Sequence, residues 1–131
     1  MTIIDHISLP VGDIDAAAAF YDPVLTTLGL IRRKQREGAI GYGPDAVLPP
    51  IFWILARQEG SATPGIGLHV SFRASSREQV QAFFDTALAH GGRDMGAPGP
   101  RPHYTAGFYG CFVLDRDGYK IEAVFREALR T

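Results

Sequence analysis

The chain has 131 residues, 46% of them apolar, and is almost neutral, with 13 Lys and Arg against 14 Asp and Glu. That size suits one domain with a core of its own, and the charge balance excludes nucleic acid and anionic membrane as main partners, because both demand a basic face. The single cysteine, Cys111, excludes an internal disulfide.

In chain order, Met1-Thr2-Ile3-Ile4-Asp5-His6 runs into a strand pattern without the basic and apolar regions of a signal peptide, and no apolar run nears the roughly 20 residues of a membrane span. The expected compartment is the cytoplasm. Alternation then sets His6, Ser8 and Pro10 on one strand face and Ile7, Leu9 and Val11 on the other. Asp13 is the expected N-cap of a helix whose apolar stripe is Ile14, Ala17, Ala18, Tyr21, Val24, Leu25 and Leu28; Pro23 should kink or shorten it and Gly29 end it. Strands are expected at 31–35, 39–42 and 51–56, with Arg32-Arg33-Lys34 as a solvated strand edge. Residues 57–65 read as a linker.

The second half repeats the plan. His69, Ser71 and Arg73 oppose Leu68, Val70 and Phe72. Ser75 and Glu78 have capping-box spacing before a stripe of Val80, Phe83, Phe84, Ala87 and Leu88, and Gly91-Gly92 stops the helix, leaving His90 as a solvent-facing residue at its C-terminus. A short strand near 93–95, a Pro/Gly-rich loop at 96–102, strands at 109–115 and 120–126 around an Arg116-Asp117-Gly118 turn, and a frayed tail at 127–131 complete the reading. Cys111, among Phe108, Phe112 and Val113, reads as a small buried hydrophobe.

The two halves align without a gap at a shift of 63 positions (69 − 6): His6 on His69, Ser8 on Ser71, Phe20 on Phe83, Asp22 on Asp85, Leu25 on Leu88 and Gly29 on Gly92. The pattern changes from period 2 to period 3.6 at the same place in both. The expected fold is α+β, with two tandem βαβββ modules at about 1–56 and 66–126 in a single domain.

Four features carry candidate chemistry. His6 and His69 occupy equivalent places in the repeat. Glu122 interrupts an apolar strand, Ile121-Glu122-Ala123-Val124, where a carboxylate is costly to bury unless paired or bound to a cation; an exposed edge-strand glutamate is the plainer reading. Two imidazoles and a carboxylate suit a facial triad with open coordination positions. Arg101-Pro102-His103-Tyr104, with Tyr109 beyond it, is a stiff polar loop that either lines a site or merely covers surface; His103 and Tyr104 are its acid–base candidates, Arg101 and Tyr109 its substrate contacts. Of Phe52 and Trp53, at least one is expected in the core and the other is free to wall an apolar pocket.

Asp5-His6-Ile7-Ser8-Leu9-Pro10-Val11 with Phe20-Tyr21 and Leu28-Gly29-Leu30, then Gly67-Leu68-His69-Val70-Ser71-Phe72, and finally the hairpin from Phe112 through Asp115-Arg116-Asp117-Gly118 to Glu122-Ala123-Val124 together resemble the glyoxalase/bleomycin-resistance/extradiol-dioxygenase (vicinal oxygen chelate) superfamily. The resemblance covers nearly the whole chain. It implies a curved, cleft-enclosing mixed sheet, a homodimer, and metal ligands on the first and last strands of each module. His6 falls on the first ligand slot, His69 on the third and Glu122 on the fourth. The second slot lies within Ile51-Phe52-Trp53-Ile54-Leu55, where nothing binds a metal. Glyoxalase I-like members carry a glutamate there, whereas extradiol dioxygenases use two histidines and one glutamate.

The expected function is that of an enzyme dependent on a divalent metal (Fe, Mn, Ni, Co or Zn) and acting on a small oxygen-bearing molecule, as a lyase or isomerase or as a ring-cleaving dioxygenase. The alternative is a metal-free binding protein of the bleomycin-resistance type.

Overall fold

Each half folds into the same order of elements. In a computed structural model that describes residues 3–45 and 48–127, the first half gives β1 (Ile7–Val11), α1 (Ile14–Thr26), β2 (Ile31–Arg36), β3 (Ala39–Gly43) and β4 (Phe52–Ala56). The second gives β5 (His69–Arg73), α2 (Arg77–Ala89), β6 (Arg93–Pro100), β7 (Phe108–Leu114) and β8 (Lys120–Arg126). The strands form two open four-stranded mixed sheets, ordered β1-β4-β3-β2 and β5-β8-β7-β6, so the fold is α+β with one topology used twice. Two compact units result, Met1–Thr63 and Pro64–Thr131. No helix among the described residues is long and apolar enough to cross a membrane.

In the first unit, β1 pairs with β4 in parallel, and β3 pairs antiparallel with both β2 and β4. Asp13 caps α1 as the sequence predicts, its carboxylate accepting from the N–H groups of Asp15 and Ala16. Pro23 does not shorten the helix, which runs three residues past it to Thr26. Gly29 then turns the chain at φ +81°. The helix buries Ala17, Ala18, Phe20, Tyr21, Val24 and Leu25; Phe20 joins the stripe, while Ile14 and Leu28 stay half-buried. Tyr21 packs on Phe52 with ring centroids 5.1 Å apart, which fixes one face of the sheet as the helix side.

In the second unit, the N-cap of α2 is Ser76 rather than Ser75. Its hydroxyl accepts from Gln79 N–H, and the Gln79 side chain accepts from Ser75 N–H, so the reciprocal box lies one residue beyond the Ser75/Glu78 pair. Leu88, expected in the apolar stripe, is exposed, because the helix packs through Val80, Phe83, Phe84 and Ala87. His90 caps the helix end in solvent, with Nδ1 2.9 Å from the Thr86 carbonyl. The 93–95 strand is longer than predicted and absorbs most of the Pro/Gly loop, running to Pro100 through two register shifts. Asp115 anchors the β7–β8 turn: its Oδ1 accepts from the N–H groups of Asp117, Gly118 and Tyr119, each at 2.9 Å. Cys111 is fully buried, as expected. Of the tail expected at 127–131, only Glu127 lies among the described residues.

Candidate functional site

Period-2 alternation gives each sheet a helix side and an open side. In the second unit, Phe72 packs on Phe83 of α2, so Val70, Phe72, Ile121 and Ala123 face the helix. His69, Ser71 and Glu122 face the other way, with Phe112 across from Glu122 in the antiparallel β7–β8 pair.

Glu122 is only 4% exposed. Asp115 is the other buried acid among the described residues, and the turn's N–H groups account for it. Glu122 has no such backbone cradle. Burial pushes its carboxyl pKa up, opposed by His69, by a hydrogen bond from the Ser71 hydroxyl, and by the charges of Lys120 and Arg126. His69 Nε2 stands 3.4 Å from Glu122 Oε1, with the imidazole half exposed. An imidazole nitrogen and a carboxylate oxygen are thus brought together, the carboxylate inside and the ring at the surface.

His6 sits one residue ahead of β1 rather than within it. Its Nδ1 lies 2.6 Å from the Asp5 carboxylate. A carboxylate on one ring nitrogen orients the imidazole and leaves Nε2 on the far side of the ring, an arrangement also found around metal-binding histidines. His6 lies at a cleft of about 290 Å³ on the open side of the first sheet, alongside Ser8, Lys34, Arg36 and Trp53. Within neither unit do the described residues gather three or more His, Cys, Asp or Glu side chains that could hold a metal ion.

The sheet register relates the two units residue by residue. Ser8 pairs with Trp53 in the β1–β4 ladder, as Ser71 pairs with Glu122 in the β5–β8 ladder. Trp53 therefore occupies the place in the first unit that Glu122 holds in the second. The indole fits because its antiparallel neighbour is Gly41, where an added Cβ would lie 2.9 Å from Trp53 Cε2. Arg36 holds its guanidinium over the indole at 5.0 Å. Phe52 is the core member of the Phe52/Trp53 pair, 1% exposed between Tyr21 and Tyr42.

The 101–104 segment divides. Arg101 donates to the carbonyls of Ala97, Gly99 and Gly110, and its guanidinium lies 5.1 Å from the Phe112 ring, so it ties the irregular β6 to β7. His103 and Tyr104 stack at 4.3 Å, and Tyr104 meets Phe112 edge-on at 6.4 Å, which places it two side chains from Glu122. Tyr109 points to the helix side, under the Arg77 guanidinium at 4.5 Å. Alternation along β7 separates it from the face that carries Glu122.

The sequence reading missed Lys34 and Arg36 as site residues. Strict alternation would put Arg32, Lys34 and Arg36 on one face. A register shift between Arg32 and Lys34 turns Arg32 to the helix side, where it pairs with Asp22 of α1 at 2.6 Å, and leaves Lys34 and Arg36 on the cleft side. Asp5, Ser71 and Phe112 were missed as well; for Ser71, its equivalence to Ser8 beside a histidine was the available signal.

The glyoxalase/bleomycin resistance protein/dioxygenase superfamily pattern matches residues 3–123. The chain belongs to that superfamily. It is 30% identical over 125 residues to a probable lactoylglutathione lyase of Synechocystis sp., covering 91% of this chain and 92% of that protein. A probable lactoylglutathione lyase of Vibrio cholerae is 32% identical over 130 residues, covering 91% and 87%. The crystal structure of a glyoxalase/bleomycin resistance protein from Albidiferax ferrireducens superposes with a TM-score of 0.82 at 31% identity, covering 95% of this chain and 99% of that one.

Proposed function

We propose that this superfamily member is a divalent-metal-dependent enzyme acting on a small oxygen-bearing organic molecule, with His6, His69 and Glu122 as metal ligands and the two units working as one domain. The observation that carries the reading is the buried Glu122 carboxylate 3.4 Å from His69 Nε2. A carboxylate this deep, without a backbone cradle, suits a cation partner. The donor set fits Fe, Mn, Ni, Co or Zn.

A bound metal would supply Lewis acidity, polarising neighbouring oxygens of the substrate and stabilising the negative charge that develops on them. The protein's own groups do the rest. Asp5 holds the His6 ring with Nε2 available, and the Ser71 hydroxyl orients Glu122. Trp53 stands in the first unit where Glu122 stands in the second, and it offers no metal ligand there. Tyr104 and His103 would serve as the acid–base pair, a reading supported by the edge-on contact of Tyr104 with Phe112 and its stacking on His103.

The two curated relatives favour a lyase or isomerase. A ring-cleaving dioxygenase is the second reading, supported by the set of two histidines and one glutamate with Trp53 where glyoxalase I-like members have a carboxylate. The metal-free binding protein keeps one supporting observation, the aromatic wall that Trp53 gives the cleft. Metal content after tag-free purification separates enzyme from binder. Stoichiometric metal, or a rise in Tm with Fe, Mn, Ni, Co or Zn, is expected; neither appearing would leave the binder. The same reading expects a cytoplasmic homodimer, and a monomeric mass by light scattering at micromolar concentration would count against the dimer.

A further inference from the structure

The open side of the first sheet carries a charge arrangement that the metal reading does not use. Lys34, Gly41, Trp53 and Ser8 form one row across the four strands, and Arg36, Ala39, Leu55 and Pro10 form the next. Pro50 and the Trp53 indole cover Gly41, and with Pro49 and Leu55 they line a cleft on this face. At about 290 Å³ it lies at the small end of ligand pockets, which run roughly 300–1,000 Å³. Its walls are an indole, prolines and Leu55, and its rim carries Lys34 and Arg36.

Neither cation is paired with a carboxylate among the described residues. Arg36 is instead steadied over Trp53, which lowers the ordering cost of using its N–H donors on a ligand. Asp5 also lines the cleft and is engaged on His6. Lys34 and Arg36 against Asp5 leave one surplus positive charge among the Lys, Arg, Asp and Glu side chains that line the cleft. That surplus matches one negative charge, and Asp5 repels a second.

We propose that this cleft selects a small organic monocarboxylate, with the carboxylate held by Lys34 and Arg36 and a flat apolar body laid along Trp53. As a statement of substrate class it rests on the enzyme reading above; as a statement of binding it requires no metal. In that class the carboxylate anchors the molecule at β2, and the oxygens that react lie toward His6.

Trp53 is the only tryptophan in the chain, so its emission reports this cleft alone. Benzoate and its uncharged counterpart benzamide are titrated into the full-length protein in EDTA, which prevents a carboxylate from acting through metal. Benzoate is expected to give a saturable change in emission and benzamide to bind about tenfold more weakly, the scale of a charge-assisted hydrogen bond. Lys34→Gln and Arg36→Gln should each weaken benzoate by roughly three- to tenfold with little effect on benzamide, while Lys34→Arg retains the preference. Both positions are exposed, so the variants should fold, and circular dichroism checks that. Equal binding of benzamide, no saturable response to benzoate, persistence of the response in the Lys34→Gln/Arg36→Gln double variant, or displacement of benzoate by an equal concentration of inorganic phosphate would overturn the proposal. If carboxylate preference survives while no metal binds, the enzyme reading falls and this one stands; if metal binds but benzamide equals benzoate, the reverse holds.

Discussion

Trp53 and Glu122 stand at the same register position of two sheets with the same strand order, each across from the equivalent serine, Ser8 or Ser71. One unit keeps a carboxylate there beside a histidine; the other has an indole over a glycine. The neighbours have changed to match, since Gly41 beside Trp53 corresponds to Phe112 beside Glu122.

Replacing Glu122 with alanine should abolish metal binding, a loss larger than the roughly 10–100-fold of a change outside the ligand shell. The nearly isosteric Glu122→Gln should lose metal equally, because the charge rather than the volume is removed. Isothermal titration with Mn or Zn reads the affinity, and circular dichroism should show the fold retained. A glutamine variant that binds metal as wild type does would remove Glu122 from the ligand set.

Asp5→Asn should cost about 10–100-fold in metal affinity by releasing Nδ1 of His6. Asp5 and His6 are both exposed, so the melting temperature of the metal-free protein should hardly move. An unchanged affinity would show that the pair has no part in the site.

Gly41→Ala tests how Trp53 and Pro50 seat on β3. The added Cβ would come within 2.8 Å of Pro50 Cβ and 2.9 Å of Trp53 Cε2. Something must shift, and a cost of about 1–3 kcal/mol is expected from overpacking. Urea denaturation measures it, and a shifted tryptophan emission should accompany it. Wild-type stability with wild-type emission would mean that the indole does not rest against Gly41.

Much of the fold was legible because the repeat, the Asp13 cap and the alternation around Glu122 are local signals. Two places were not. The bulge that parts Arg32 from Lys34 depends on pairing with β3, which no window of sequence contains, so three cations read as one solvated edge. The length of β6 was hidden by its prolines and glycines, which read as a loop until Arg101 ties their carbonyls to β7. His69 was picked out by its repeat equivalence to His6 and Glu122 by its place in an apolar strand; that they meet follows from the parallel pairing of β5 with β8, which a residue pattern alone does not specify.

Asp115→Ala should destabilise the second unit by about 2–4 kcal/mol, because three turn N–H groups lose a buried charged acceptor together. Denaturant melts give the number. A loss below 1 kcal/mol, on the order of a surface change, would show that water replaces the carboxylate.

Cys111 should be inert in the native protein. Burial pushes its thiol pKa up to about 12, so near pH 8 only roughly one molecule in ten thousand carries the reactive thiolate. A disulfide reagent should find no thiol in the folded chain and one after denaturation. Labelling should stay negligible as pH rises, until it approaches 12. Prompt modification at neutral pH would show that the helix-side core opens.

The terminal strands β2 and β6 bear on how the protein behaves when concentrated. A bare strand edge invites the next molecule to add itself, and sheets grow into ribbons that way. β2 meets that hazard with repulsion, since Arg32, Arg33, Lys34 and Arg36 crowd six residues. β6 meets it with shape: two register shifts break its line, and Pro98 and Pro100 have no N–H to offer. Of the four terminal strands (β1, β2, β5 and β6), these two thus resist fibrillar growth by unrelated means. A charge-neutral β2 in which these four cations become glutamine should precipitate at concentrations that leave the natural chain clear, and any self-association there has to run through side chains rather than through shared backbone.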